Sequence, residues 1–117
     1  MPPAGRYWSE DIAADYLQQQ GLRLVCRNYG SRSGEIDLIM IDGSSLVFIE
    51  VKQRTDTRFG QPEETVGFSK QVRLRRTAAH YLQLHDKSQS MPCRFDVIAV
   101  TGSRHEADCR WIRNAFQ

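Results

Sequence analysis

Residues 34–52 read GEIDLIMIDGSSLVFIEVK. Two apolar runs, Ile36–Ile41 and Leu46–Val51, flank Asp42-Gly43-Ser44-Ser45, a turn-forming cluster. This is the pattern of a β-hairpin with strands over Glu35–Ile41 and Leu46–Lys52. If Ile41 pairs with Leu46, Asp37 falls opposite Glu50 and Glu35 opposite Lys52. Directly opposed side chains have Cβ atoms roughly 4.5–5.5 Å apart, close enough for two carboxylates to share a cation. Strand side chains alternate, so Lys52 shares the face of Glu50 while Ile49 and Val51 point the other way into a core. Charges inside such apolar runs need a partner or a ligand.

Outward from the hairpin, the chain resolves into one α/β domain. Residues 1–7 read as a flexible arm. Ser9 is placed to cap a helix running to about Gln20, with Trp8, Ile12, Tyr16 and Ala13 as its buried stripe and Gly21 as its stop. Leu22–Tyr29 is a strand in which Leu22, Leu24 and Cys26 alternate with Arg23, Val25 and Arg27. Gly34 serves the turn into the next strand. Asp56–Glu64 reads as a polar loop. Residues 66–85 are predicted to form a second helix, with Val72, Ala79 and Leu82 as its apolar stripe, helped by Ala78. A polar linker over His85–Pro92 leads to a strand over Cys93–Val100 and a short terminal strand over Cys109–Ile112. The order is therefore α-β-β-β-α-β plus a terminal strand, a mixed β-sheet flanked by helices.

The 117 residues allow a single domain, 1–117, and leave no room for a second module. A net charge of +2 is compatible with nucleic acid without demanding it, so any such reading rests on where the charges sit. The three cysteines are odd in number and widely spaced, with no CxxC pair, which argues against a zinc site and for a reducing cytoplasm. Cys26 and Cys93 read as core thiols. The N-terminus turns acidic without an apolar signal core, and no apolar run approaches membrane-spanning length, so no membrane association is expected.

Asp37, Glu50 and Lys52 suit metal-dependent cleavage of a phosphodiester. Two carboxylates favour a hard divalent cation, Mg²⁺ or Mn²⁺, which keeps waters and accepts phosphate as a further ligand. A lysine beside them can stabilise charge in the transition state. The same three residues also suit a cross-strand ion-pair network. Two acids against one base leave a negative excess, and that excess favours a cation. Glu10, placed in the first turn of helix one, is a candidate third metal ligand and equally a surface cap residue favoured by the helix field. Glu35 is a candidate supporting residue. Asp96 reads as structural, paired with Arg94 or a helix residue. Ser33 and His80 form no triad, and His85 and His105 lie in polar linkers.

The strings GEIDLIMI, VFIEVKQR and RFDVIAV, with WSEDIAADYL before them and RNY between, resemble the YraN-type (UPF0102) family of small bacterial proteins. The resemblance runs from about Trp8 to Phe116. That family is grouped with the Holliday-junction-resolvase-like branch of the PD-(D/E)XK nuclease superfamily. The resemblance implies a restriction-endonuclease-like core, with Asp37, Glu50 and Lys52 at the D, E and K positions. It also implies that Glu10 matches the helix-one glutamate of the resolvase-like branch. Ile36 stands where the motif name has proline, and Gln53 fills the variable slot before Arg54.

Among the basic residues, Arg54 shares the Glu50/Lys52 face if the strand continues, and either holds phosphate or pairs with Glu35 or Glu10. Arg32 and Arg58 flank the site in loops. Lys70, Arg73 and Arg76 form a basic surface on the second helix, either solvated or in contact with phosphates. Such contacts position a nucleic acid without reading its sequence, and no recognition helix is present. The expected function is a metal-dependent endonuclease acting on DNA, with branched or irregular DNA in view. A junction substrate would imply a homodimer. The rivals are a non-catalytic nucleic-acid-binding protein that keeps the fold, and a protein-interaction module.

Overall fold

A computed structural model describes residues 4–54, 66–85 and 90–116. The hairpin that the sequence marks is its centre. Strand β2 (Gly34–Asp42) pairs antiparallel with β3 (Ser45–Arg54) in the expected register, Ile41 against Leu46. The connection is tighter than the four-residue turn expected: Asp42 pairs with Ser45, and Gly43 sits at φ +62°, where a residue without Cβ is least strained. Strand β1 (Arg23–Ser31) lies antiparallel on the other side of β2. After β3 the chain crosses through a helix, α2 (Phe68–Leu84), and returns as β4 (Cys93–Ser103), parallel to β3. Strand β5 (Glu106–Phe116) closes the five-stranded sheet, in the order β1-β2-β3-β4-β5, antiparallel to β4. The N-terminal helix is α1 (Ala4–Gln19).

Alternation along the strands separates two cores. Leu38, Met40, Val47, Ile49, Ile98 and Val100 face α1. Ile39, Leu46, Phe48 and Val97 face α2. The helices therefore cover opposite faces of a sheet whose central strands are apolar on both sides. Each fully buried side chain of this kind contributes on the order of 2 kcal/mol relative to exposure. This α/β sheet with one helix on each face agrees with a restriction-endonuclease-like core.

Several local expectations need correction. Helix α1 starts at Ala4, so the helix takes in residues 4–7 of the expected arm, and Ser9 is a buried interior residue rather than a cap. Its most buried residues are Ala13, Ala14 and Leu17, with Trp8, Ile12 and Tyr16 packed at the margin. Its end follows the sequence: Gly21 takes φ +101°, the Leu22 N–H reaches the Leu17 carbonyl at 3.0 Å, and the Gly21 N–H reaches Gln18 at 3.0 Å. These are the paired bonds of a Schellman stop. Helix α2 buries Leu74, Thr77, Ala78 and Tyr81, whereas Val72 and Leu82 are half-buried and Ala79 is exposed. Cys93 is exposed rather than a core thiol, and Cys26 is half-buried. Partial burial pushes the Cys26, Cys93 and Cys109 thiols up, so none is an activated nucleophile. The terminal strand is as long as β4. The loop expected at Asp56–Glu64 lies outside the described residues, as does most of the linker after His85. Among the described residues no helix is long and apolar enough to cross a membrane.

The β4–β5 hairpin depends on Gly102. Its φ is +104°, and a Cβ there would stand 2.3 Å from the Glu106 carbonyl oxygen. Gly102→Ala is therefore expected to cost about 2–4 kcal/mol through strain and steric overlap. Urea unfolding of the two proteins measures this, and a loss under about 0.5 kcal/mol would contradict the hairpin geometry.

Candidate metal and phosphodiester site

The β2–β3 ladder stops one rung before Asp37 and Glu50, at Leu38 against Ile49. There the carboxylate of Asp37 replaces a backbone partner: its Oδ2 accepts the Val51 N–H at 2.8 Å. A change of phase in the pleat accompanies this. Cys26 and Tyr29 in β1, and Ile36 and Ile39 in β2, all pack on the α2 side although each pair is three residues apart. Strict alternation would put the members of each pair on opposite faces. The phase slips across Arg27–Asn28 and Asp37–Leu38, where Asn28 adopts φ +53°. Asparagine tolerates this left-handed conformation better than most residues.

The slip sets Asp37 beside two other carboxylates. Asp37 lies within hydrogen-bonding reach of Glu50, and Glu10 adds a weaker like-charge contribution. Burial, then the Glu50 charge and hydrogen bond, push the Asp37 carboxyl up to about 8, against the opposing Val51 N–H. At neutral pH the Asp37–Glu50 pair therefore holds a proton. Glu50 is 5% exposed and pairs with the Lys70 ammonium from the first turn of α2. Lys70, a candidate phosphate contact, is thus placed with its ammonium at Glu50.

Glu10 is 8% exposed and lies on the buried face of α1, a turn before Ala13 and Ala14. It is well inside the helix, so neither the helix field nor surface capping explains it. Its carboxylate accepts Asn28 Nδ2 at 2.8 Å and stands 3.8 Å from Arg27, which itself binds Asp11 at 2.7 Å. Among the described residues no three Asp, Glu, His or Cys side chains are gathered as a ready metal cage. The set that fits a cation is the Asp37–Glu50 pair. The half-buried Asp37 and the buried Glu50 offer adjacent carboxyl oxygens that, once their shared proton is displaced, suit a hard divalent ion that keeps waters and takes phosphate ligands. Glu10, held by Asn28 and near Arg27, is the third carboxylate whose charge acts on Asp37.

The remaining expected residues are dispersed. Lys52 is half-buried in β3, two residues beyond Glu50 on the same face, and Arg54 is exposed where the strand ends. Glu35 is not on a rung with Lys52. It pairs with Gly30 in β1, is exposed, and is reached by Asn28 Nδ2 at 3.4 Å. Arg32 lies exposed in the β1–β2 turn, and Arg73 and Arg76 lie exposed on α2. Arg58 lies outside the described residues. Asp96 is structural as expected, bound by Arg94 at 3.0 Å and Trp111 at 2.9 Å. Sequence reasoning missed Asn28, which links Glu10 to the sheet. The signal was an asparagine within an otherwise regular strand, in RNY.

Fold and site together define an α/β protein with an acidic pair at the opening between its two central strands. The family profile described as "Uncharacterised protein family UPF0102" matches residues 9–100, and the chain belongs to that family. A UPF0102 protein of Nitrosococcus oceani is 49% identical over 109 residues, covering 93% of this chain and 88% of the relative. One from Chromohalobacter salexigens is 54% identical, covering 92% and 85%. Another from Nitrosomonas europaea is 48% identical over 118 residues, covering 99% and 98%.

Proposed function

We propose that this chain is a metal-dependent endonuclease that hydrolyses phosphodiester bonds in DNA, with branched or irregular DNA as its substrate form. The observation that carries the reading is the meeting of Asp37 and Glu50 where the β2–β3 ladder ends. Two carboxyl groups this close repel each other when both are ionised, and a divalent cation between them would relieve that repulsion. Asp37 and Glu50 would hold Mg²⁺ or Mn²⁺, which supplies charge stabilisation at a phosphate oxygen and an acidified water. Asp37 would have to be ionised to hold such an ion. The Val51 N–H keeps its carboxylate oriented toward Glu50. Lys52 stabilises charge that builds on the phosphate oxygens during in-line attack. Arg54, at the end of the same strand, holds a neighbouring phosphate. Cutting two strands of a junction symmetrically takes two such sites and therefore two copies of the chain.

A second reading, a nucleic-acid-binding protein that keeps the fold without cutting, is favoured by one observation: Lys70 already neutralises Glu50. The test is cleavage of labelled linear, flapped, single-stranded and four-way-junction DNA in Mg²⁺ and Mn²⁺, comparing wild-type and Glu50→Ala proteins. The endonuclease reading expects cutting that needs metal and drops at least about 100-fold in the variant. Binding of these substrates without cutting by folded wild-type protein would leave the second reading. A protein that neither binds nor cuts them would point to the protein-interaction module.

A further inference from the structure

The β1–β2 turn and the middle of α2 enclose an open cleft of about 500 Å³. Ser31, Arg32 and Ser33 line one side, and Arg76, His80 and Gln83 the other. Among the described residues no carboxylate lines it. This sets it apart from the concavity beside α1 and β5, which is lined by Asp15 and Asp108. The arginines elsewhere with known partners are committed: Arg27 to Asp11, and Arg94 to Asp42 and Asp96. Among the described residues neither Arg32 nor Arg76 has an ion-pair partner, and both are exposed.

The walls of this cleft are held in place. Thr77, fully buried in α2, donates its hydroxyl to the Arg73 carbonyl at 2.9 Å. Its oxygen is then the acceptor for the Ser31 hydroxyl at 3.1 Å. The Ser31 oxygen in turn accepts the Ser33 N–H at 3.1 Å. This directed chain fastens the turn bearing Arg32 onto the helix bearing Arg76. Across the cleft, the Tyr29 hydroxyl bonds His80 Nδ1 at 2.7 Å. That bond fixes the ring and leaves Nε2 as the nitrogen available to the cleft.

Two guanidiniums without an ion-pair partner among the described residues, an imidazole and an amide converging on one space are a donor set for a phosphate group. We propose that the Arg32–Arg76–His80 cleft holds a backbone phosphate of bound nucleic acid. The inference rests on the nucleic-acid reading above and extends it to a second contact. Lys70, which touches Glu50, marks the catalytic end of α2. Arg76 and His80 lie farther along the helix by roughly 9 and 15 Å at 1.5 Å per residue. The cleft therefore grips a phosphate roughly three to four base steps away, at 3.4 Å per step. A contact at that distance orients the strand across the acidic pair without touching the bond to be cut.

The experiment is a titration of isotope-labelled protein in EDTA with a 5′-phosphorylated thymidine dinucleotide, followed by amide and imidazole chemical shifts. The cleft expects saturable shifts at Ser31, Arg32, Ser33 and His80. It expects at least about tenfold weaker binding by Arg32→Ala/Arg76→Ala, whose spectrum reports its folding. For duplex DNA, the same double substitution lowers the slope of log K against log salt by about two. Shifts confined to other surfaces, or binding unchanged by the double substitution, would overturn the proposal. So would inorganic phosphate binding as tightly as the dinucleotide, which marks a free-anion site. Because EDTA removes metal and the acidic pair is untouched, cleft and cleavage are tested separately. Cutting without cleft shifts sinks the cleft alone, and cleft shifts in a protein that never cuts sink the catalytic reading alone.

Discussion

Asp96→Ala is expected to cost about 4 kcal/mol of folding stability, the largest loss of any single change considered. Asp96 is fully buried in β4. Its carboxylate accepts Arg94 Nε at 3.0 and 3.2 Å, Trp111 Nε1 at 2.9 Å and the Asn114 N–H at 2.9 Å. Asn114 sits at φ +52° in the irregular stretch of β5, between the Val97–Ile112 and Phe95–Phe116 pairs. The aspartate thus replaces the ladder bonds that this bulge breaks. Alanine would strand the indole and amide donors and leave Arg94 with Asp42 alone, at 2.7 Å. Each buried donor without a partner costs about 1–3 kcal/mol. Asp96→Asn keeps the shape and an acceptor oxygen, so a loss of about 2 kcal/mol is expected. Urea unfolding ranks the three proteins. A loss below about 1 kcal/mol for alanine would contradict the network. Because these donors occupy both oxygens, Asp96 has no capacity left for a metal.

The second large effect has the opposite sign. Asp37→Asn is expected to stabilise the metal-free protein, increasingly as pH rises. The folded carboxyl is pushed up to about 8, whereas a free aspartate titrates near pH ~4. Between those values the folded state holds a proton that the unfolded state has lost. The stability that Asp37 contributes is complete below pH ~4 and is lost as pH rises through about 8. Asparagine has no proton to lose, and its oxygen can still accept the Val51 N–H. The advantage of the variant therefore grows from pH ~4 and levels off above about 8. A shift is worth about 1.4 kcal/mol per unit, reduced here because water reaches the half-buried carboxyl. A gain of about 2 kcal/mol is expected at alkaline pH. Thermal unfolding across pH, in EDTA, measures it, and parallel curves for the two proteins would contradict the buried pair. The same substitution should abolish cleavage, the trade-off expected of a site that costs stability when empty.

The hairpin was legible because two signals agreed. The Asp42–Ser45 turn sets Ile41 against Leu46, and the two continuous apolar runs mark strands buried on both faces. The acidic pair followed from that register. Less visible were features that tertiary contacts decide. Ser9 looks like a cap, yet it lies inside α1 because the helix begins earlier. The α2 stripe was misphased because Thr77 replaces an apolar residue, its hydroxyl satisfied by Arg73 and Ser31. The phase slip at Asn28 breaks the period-two rule that made the strands readable. Lys70 reaches Glu50 from another element, a contact no local pattern encodes. The length of β5 was hidden by its polar, half-exposed composition at the sheet edge.

In the proposed function, Asp37 and Glu50 form one cation site that exchanges a proton for a metal. Calorimetric titration with Mn²⁺ at pH 7, in two buffers of different ionisation enthalpy, tests it most directly. Saturable binding is expected, with close to one proton released per ion, falling toward none well above the Asp37 titration. No binding is expected for Asp37→Asn or Glu50→Gln protein. Absence of Mn²⁺ binding by the wild type, or binding that both variants retain, would contradict it.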